Sequence, residues 1–120
     1  MKATFSMLGL AAIAVTTGAS AQTPKPPVEI PTRVTGAVFS AACERNKDVC
    51  VAYVLGTADA FSTTSAALGQ RPVFCPAPAV TNEQMAQSAV NFVRAHPELA
   101  KANAADAVLA GLIGAYPCAK

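Results

Sequence analysis

The chain has no tryptophan, one histidine and two tyrosines, and only 13% of its 120 residues are charged. Each scarcity excludes something. A lone histidine, His96, with no C-x-x-C pair beside it, makes a poor start for a zinc site. Nine basic and seven acidic residues are scattered rather than clustered, so the net charge of +2 gives no patch able to displace counterions from a nucleic acid. The hydroxyl run Ser62, Thr63, Thr64, Ser65 lacks a G-x-S-x-G elbow, and no glycine-rich phosphate loop or close carboxylate pair appears. No catalytic group, metal or cofactor is therefore expected. His96 precedes Pro97 without a nucleophile nearby, so it reads as a helix cap or surface residue rather than a general base.

What the sequence does have is apolar, at 52% of residues, and it begins with a recognisable pattern. Lys2, the apolar run Phe5 to Val15 and the small triplet Ala19-Ser20-Ala21 form the three parts of a secretory signal. The run is shorter than the roughly 20 residues that span a bilayer. A cleaved leader over 1–21, a periplasmic location and no membrane partner afterwards are the expectation. Export sets the reading of Cys43, Cys50, Cys75 and Cys118, since an even count in an oxidising compartment predicts two disulfides.

Residues 22–34, "QTPKPPVEIPTRV", hold Pro24, Pro26, Pro27 and Pro31, which deny a helix and predict an extended tether. From 35 to 120 the pattern is helical throughout. A first helix, "GAVFSAACER", follows the N-cap Thr35, and Asn46 to Asp48 reads as a turn. The second helix starts near Asp48, contains "CVAYVLGTADAF" and ends at Leu68 and Gly69. Its apolar stripe is Cys50, Val54, Phe61 and Leu68, flanked by Val51 and Leu55. After the proline-broken loop "GQRPVFCPAPAV", Thr81 and Gln84 form a capping box for a third helix bearing Met85, Ala89, Phe92 and Val93. "RAHP" breaks it, Pro97 opens a fourth helix, and Pro117 ends it. The stripe of that last helix is Ala105, Val108, Leu109, Leu112, Ile113 and Tyr116. The fold class predicted is all-α, a small disulfide-stapled bundle of about four helices.

Geometry narrows the disulfide pairing without closing it. Seven residues of continuous helix rise roughly 10 Å, too far for Cys43 to reach Cys50, whereas a turn between them permits the bridge. If helices two, three and four alternate in direction, Cys118 returns near Cys75. The favoured pairs are Cys43 with Cys50 and Cys75 with Cys118, and the sequence leaves crossed pairings open.

The faces opposite the apolar stripes are unusual for what they lack. Helix two shows Ala52, Gly56, Asp59, Thr63 and Ala67 there, and helix four shows Ala100, Ala107, Gly111 and Gly114. A water-facing surface normally carries Glu, Lys or Arg. Ala52, Gly56, Asp59 and Thr63 are therefore read either as a helix-packing face inside one bundle or as a homodimer interface. If that face is covered, Asp59 needs a partner, for which Arg45, Arg71 and Arg94 are candidates.

Taken in order, Cys43, "CVAYVLGTADAF", "FCPAP", the T-x-x-Q helix start, "FVRAHPE" and the final "AYPC" resemble the Rap/Tai family of Gram-negative bacteria, across roughly residues 36 to 118. The resemblance implies a small helical, disulfide-bonded periplasmic protein, commonly a homodimer. It implies an immunity protein that binds and occludes a peptidoglycan amidase effector delivered by type VI secretion, and that catalyses nothing itself. The short Cys43–Cys50 segment and the brief loop after helix two depart from the family, which bears on the choice of effector. Effector contacts are expected at Arg94, His96 and Glu98, with Gln70 and Arg71. Two other readings compete. One is a periplasmic envelope-stress or client-binding helical protein without a toxin partner, which the sparse charge and single histidine disfavour. The other is an enzyme, for which no constellation exists.

Overall fold

A computed structural model describes residues 33–120. The expected leader, and all of the proline tether except Arg33 and Val34, lie outside the described residues. The fold is an all-α bundle built from α1 (Gly36–Arg45), α2 (Lys47–Ala67), α3 (Asn82–Ala95), a 3-10 helix (Pro97–Lys101) and α4 (Ala104–Ala115). Among the described residues there is no strand, only an isolated antiparallel bridge between Thr35 and Asn103.

Local chemistry explains most of the helix ends. Thr35 Oγ1 accepts the Val38 N–H at 3.4 Å and starts α1. In place of the expected three-residue turn, one residue separates α1 from α2. Asn46 donates its own N–H to the Ala42 carbonyl at 2.9 Å, closing α1. Its side-chain oxygen accepts from the Asp48 and Val49 N–H groups at 2.9 and 3.2 Å, opening α2. Extended backbone at Asn46 breaks the helix sharply enough for Cys43 and Cys50 to bridge, with their Cα atoms 4.6 Å apart. Gly69, at φ +65°, supplies the left-handed residue that follows α2. At α3 the capping box is complete: Thr81 Oγ1 accepts the Gln84 N–H at 3.2 Å, and Gln84 Oε1 accepts the Thr81 N–H at 2.8 Å.

Two expectations need correction. The fourth helix does not begin at Pro97, which instead opens the separate 3-10 helix. The chain is pulled into extended form at Ala102 and Asn103, where the Gly36 N–H donates to Ala102 and the Ala104 N–H donates to Val34, at 3.1 and 2.9 Å. Asn103 then caps α4 through the Ala105 N–H at 2.9 Å. Gly36 is needed here, because a Cβ at that position would collide with the Leu99 carbonyl.

The second correction concerns α2. Its buried line is Cys50, Val54, Thr57, Ala58 and Ser65, while Phe61 is half-buried and Leu68 is 66% exposed. Length gives the reason. At 1.5 Å per residue, the 21-residue α2 outruns neighbours of 14 and 12 residues, leaving its last turns little to pack against. The core centres on Phe39, Val54, Val108 and Leu112, all fully buried, with α3 packing most extensively on α4. Each such side chain contributes about 1.5–3 kcal/mol by leaving water, so so small a core gains much from its covalent ties. Cys75 joins Cys118 with a Cα separation of 4.9 Å, fastening the loop after α2 to the chain after α4. The Cys75 N–H donates to the Tyr116 carbonyl at 2.8 Å, and the Ser88 and Tyr116 hydroxyls share a hydrogen bond of 3.0 Å.

Candidate functional site

The most developed concavity lies between the α1–α2 corner and one flank of α3. Glu83, Ala86, Gln87, Val90 and Arg94 recur every three or four residues along that flank, so they face one way. Opposite them stand Cys43, Glu44, Lys47, Cys50 and Val51, and the groove encloses about 460 Å³. Its floor is apolar and includes the Cys43–Cys50 bridge; its rim carries two acids and two bases. Arg94 and Glu44 meet across it at 3.3 Å, both well exposed, so this pair adds little to stability. Gln87 is held by the Asn91 side chain at 2.7 Å. Both walls are fixed independently of any partner, one by the disulfide and the Asn46 cap, the other by the α3 capping box.

The predicted contact residues fall in four places. Arg94 joins the groove. His96 is the C-cap of α3, and its Nδ1–H donates to the Phe92 carbonyl at 2.7 Å while the two rings lie 4.1 Å apart, so the imidazole is engaged internally. Glu98 is exposed on the 3-10 helix. Gln70 and Arg71 are exposed in the loop that leads into α3, and no hydrogen bond or ion pair among the described residues ties them to the Arg94–Glu98 junction. Sequence reasoning missed Glu44, Lys47, Glu83 and Gln87. The three-and-four spacing from Glu83 to Arg94 could have marked one face of α3, but only the fold brings the α1–α2 corner opposite it.

The faces of small residues resolve differently on the two helices. Ala52, Gly56, Asp59 and Thr63 are all exposed on the single chain, so α2 is not covered on two sides within the bundle. Asp59 accordingly needs no internal partner, and it makes no ion pair among the described residues. Beside this face is a shallow apolar hollow lined by Ala52, Tyr53, Gly56, Thr57, Ala60, Phe61 and Ala105. Tyr53 packs against Phe39 at a tilt of 42°, with ring centroids 5.3 Å apart; partial burial, with the nearby Asp106 charge adding to it, raises its hydroxyl pKa above the ordinary value. On α4, by contrast, Ala107 and Gly111 are buried inside the bundle, and only Gly114 of that set opens to solvent.

The model of the Rap1a immunity proteins matches residues 35–118, a span that takes in every helix described above and both disulfides. No curated protein and no solved structure matches the chain. Two disulfides suit an oxidising compartment outside the cytoplasm. With the match running unbroken from the N-cap of α1 to the last cysteine, the chain belongs to the family of Rap1a immunity proteins.

Proposed function

We propose that this chain is a periplasmic immunity protein that binds a type VI secreted peptidoglycan amidase and occludes its catalytic cleft, protecting the producing cell. The observation that carries this reading is the family match across the whole helical domain. The surface adds support of a different kind: it offers rigid walls with an apolar floor and charged rim, a composition suited to a protein partner. The protein acts by binding rather than by catalysis.

On this reading Arg94 and Glu98, at the end of α3 and on the turn after it, touch the effector, with Gln70 and Arg71 as a second contact; His96 serves by fixing the junction. The protein works as a homodimer joined through Ala52, Gly56, Asp59 and Thr63 of α2, where small side chains let two helices approach closely. The leader over 1–21 directs it to the periplasm, and residues 22–34 act as a tether.

Protection is the direct test. Cells that export one of a panel of type VI peptidoglycan amidases to the periplasm should lyse, and co-export of this chain should restore growth against the member it recognises. Lysis that continues at full rate despite a stable, disulfide-bonded chain would sink the proposal.

A further inference from the structure

We infer that the groove between the α1–α2 corner and α3 is the seat for an extended segment of the effector, entering with a basic residue toward Glu83 and an acidic residue toward Lys47. This deepens the functional reading above and rests on it. It adds a contact that shares Arg94 with the Arg94–Glu98 junction, in which His96 is committed to holding the fold.

Charge accounting identifies the recognition groups. Of the four charged side chains on the rim, Arg94 and Glu44 neutralise one another at 3.3 Å. Lys47 and Glu83 remain, both exposed and neither in an ion pair among the described residues. They stand on opposite walls, Lys47 on the first turn of α2 and Glu83 on the first turn of α3. Between them lie Val51, Ala86, Val90 and the Cys43–Cys50 bridge, an apolar floor that a complementary side chain could fill. The arrangement thus fits an apolar side chain flanked by charges of opposite sign.

Length selects a segment of polypeptide rather than a small solute. From Glu83 to Arg94 the helix rises about 16 Å, which is the reach of roughly five residues of extended chain. Preorganisation favours the same conclusion. The disulfide and the Asn46 cap fix one wall and the capping box fixes the other, so little ordering is needed when a partner arrives. The junction is less free to act: His96 is bonded to Phe92, and Leu99 is pressed against Gly36.

The test measures binding of the purified, oxidised chain to a panel of purified type VI peptidoglycan amidases, comparing wild type with the double reversal Lys47→Glu/Glu83→Lys on the member bound. Both positions are exposed, so circular dichroism should show unchanged helicity. The inference predicts at least about tenfold weaker binding for the double reversal, because reversed charges oppose both ends of the segment. Lys101→Glu, exposed on the 3-10 helix and outside both the groove and the proposed contacts, should bind within about threefold of wild type. Wild-type binding together with an equally tight double reversal would overturn the seat and leave the function standing. Failure of the wild type to bind any such amidase would overturn the function and the seat together.

Discussion

Helices α2 and α4 carry the same feature in sequence, a line of Ala and Gly where charge would be expected, and the fold uses it in opposite ways. In α4 the small residues turn inward. A Cβ on Gly111 would lie 3.0 Å from Phe92 Cβ and 3.2 Å from Ala89 Cα, so its absence sets how closely α4 approaches α3. In α2 they turn outward, and a Cβ on Gly56 would meet nothing within 4 Å. Small size alone therefore does not say whether a helix face is packed. What decides is whether a second helix lies across that face: α3 lies across Gly111, and no described part of the chain lies across Gly56. The inward face is a finished contact. The outward face is exposed surface, free for the homodimer contact proposed above.

The two helices also differ in how they are tied, and that contrast gives the largest expected effect. The Cys75–Cys118 bridge, with a sequence separation of 43, anchors the chain beyond α4, whereas Cys43–Cys50, with a separation of 7, anchors only the start of α2. On loop-closure entropy, replacing the first pair by serine should cost about 4 kcal/mol and the second about 2.5 kcal/mol. Urea unfolding of the two double variants measures both. An equal loss would show that α2 depends on its staple more than this account allows.

Next in size is the glycine comparison. Gly111→Leu should destabilise by about 1–3 kcal/mol through overpacking against α3. Gly56→Ala should instead stabilise the monomer fold by about 0.5–1 kcal/mol, as expected for glycine replaced within an open helix. If both substitutions destabilise to a similar degree, the outward face is covered within the chain after all. Sedimentation of Gly56→Arg sharpens the same point: bulk and charge there should shift the protein toward monomer, whereas unchanged association would remove this face from the dimer.

The smallest effect concerns Tyr53, at the edge of the outward face. Burial, and then the Asp106 charge, raises its pKa in the folded chain. A raised pKa means that the folded state holds the proton longer than the unfolded one. The associated stability is thus present below the ordinary tyrosine pKa of about 10 and is lost as pH rises through the folded value. Thermal melts of wild type should therefore decline over that alkaline range, and Tyr53→Phe should flatten the decline. A Tyr53→Phe melting profile as steep as wild type would assign the loss to other groups.

The sequence made the helices legible because their ends are written in local chemistry. Thr35, the Thr81–Gln84 box and Gly69 act on neighbours within a few positions, so their meaning does not depend on the fold. Asn46 is harder to read, since this one residue closes α1 with its backbone N–H and opens α2 with its side chain, where the sequence suggests a longer turn. The start of α4 depends on Val34 to Gly36, nearly seventy positions away, which hold Ala102 and Asn103 extended. Phe61 and Leu68 looked like core by spacing, yet periodicity cannot report that neighbouring helices stop short. The groove was least legible of all. Glu44 and Arg94 are 50 positions apart, and only the packing of α3 across the α1–α2 corner makes them neighbours.

Inhibition by binding can be measured by titrating the oxidised chain into a purified type VI peptidoglycan amidase while the enzyme digests peptidoglycan. Turnover should fall linearly and vanish near one chain per enzyme. Full turnover at a large molar excess of the chain would contradict it.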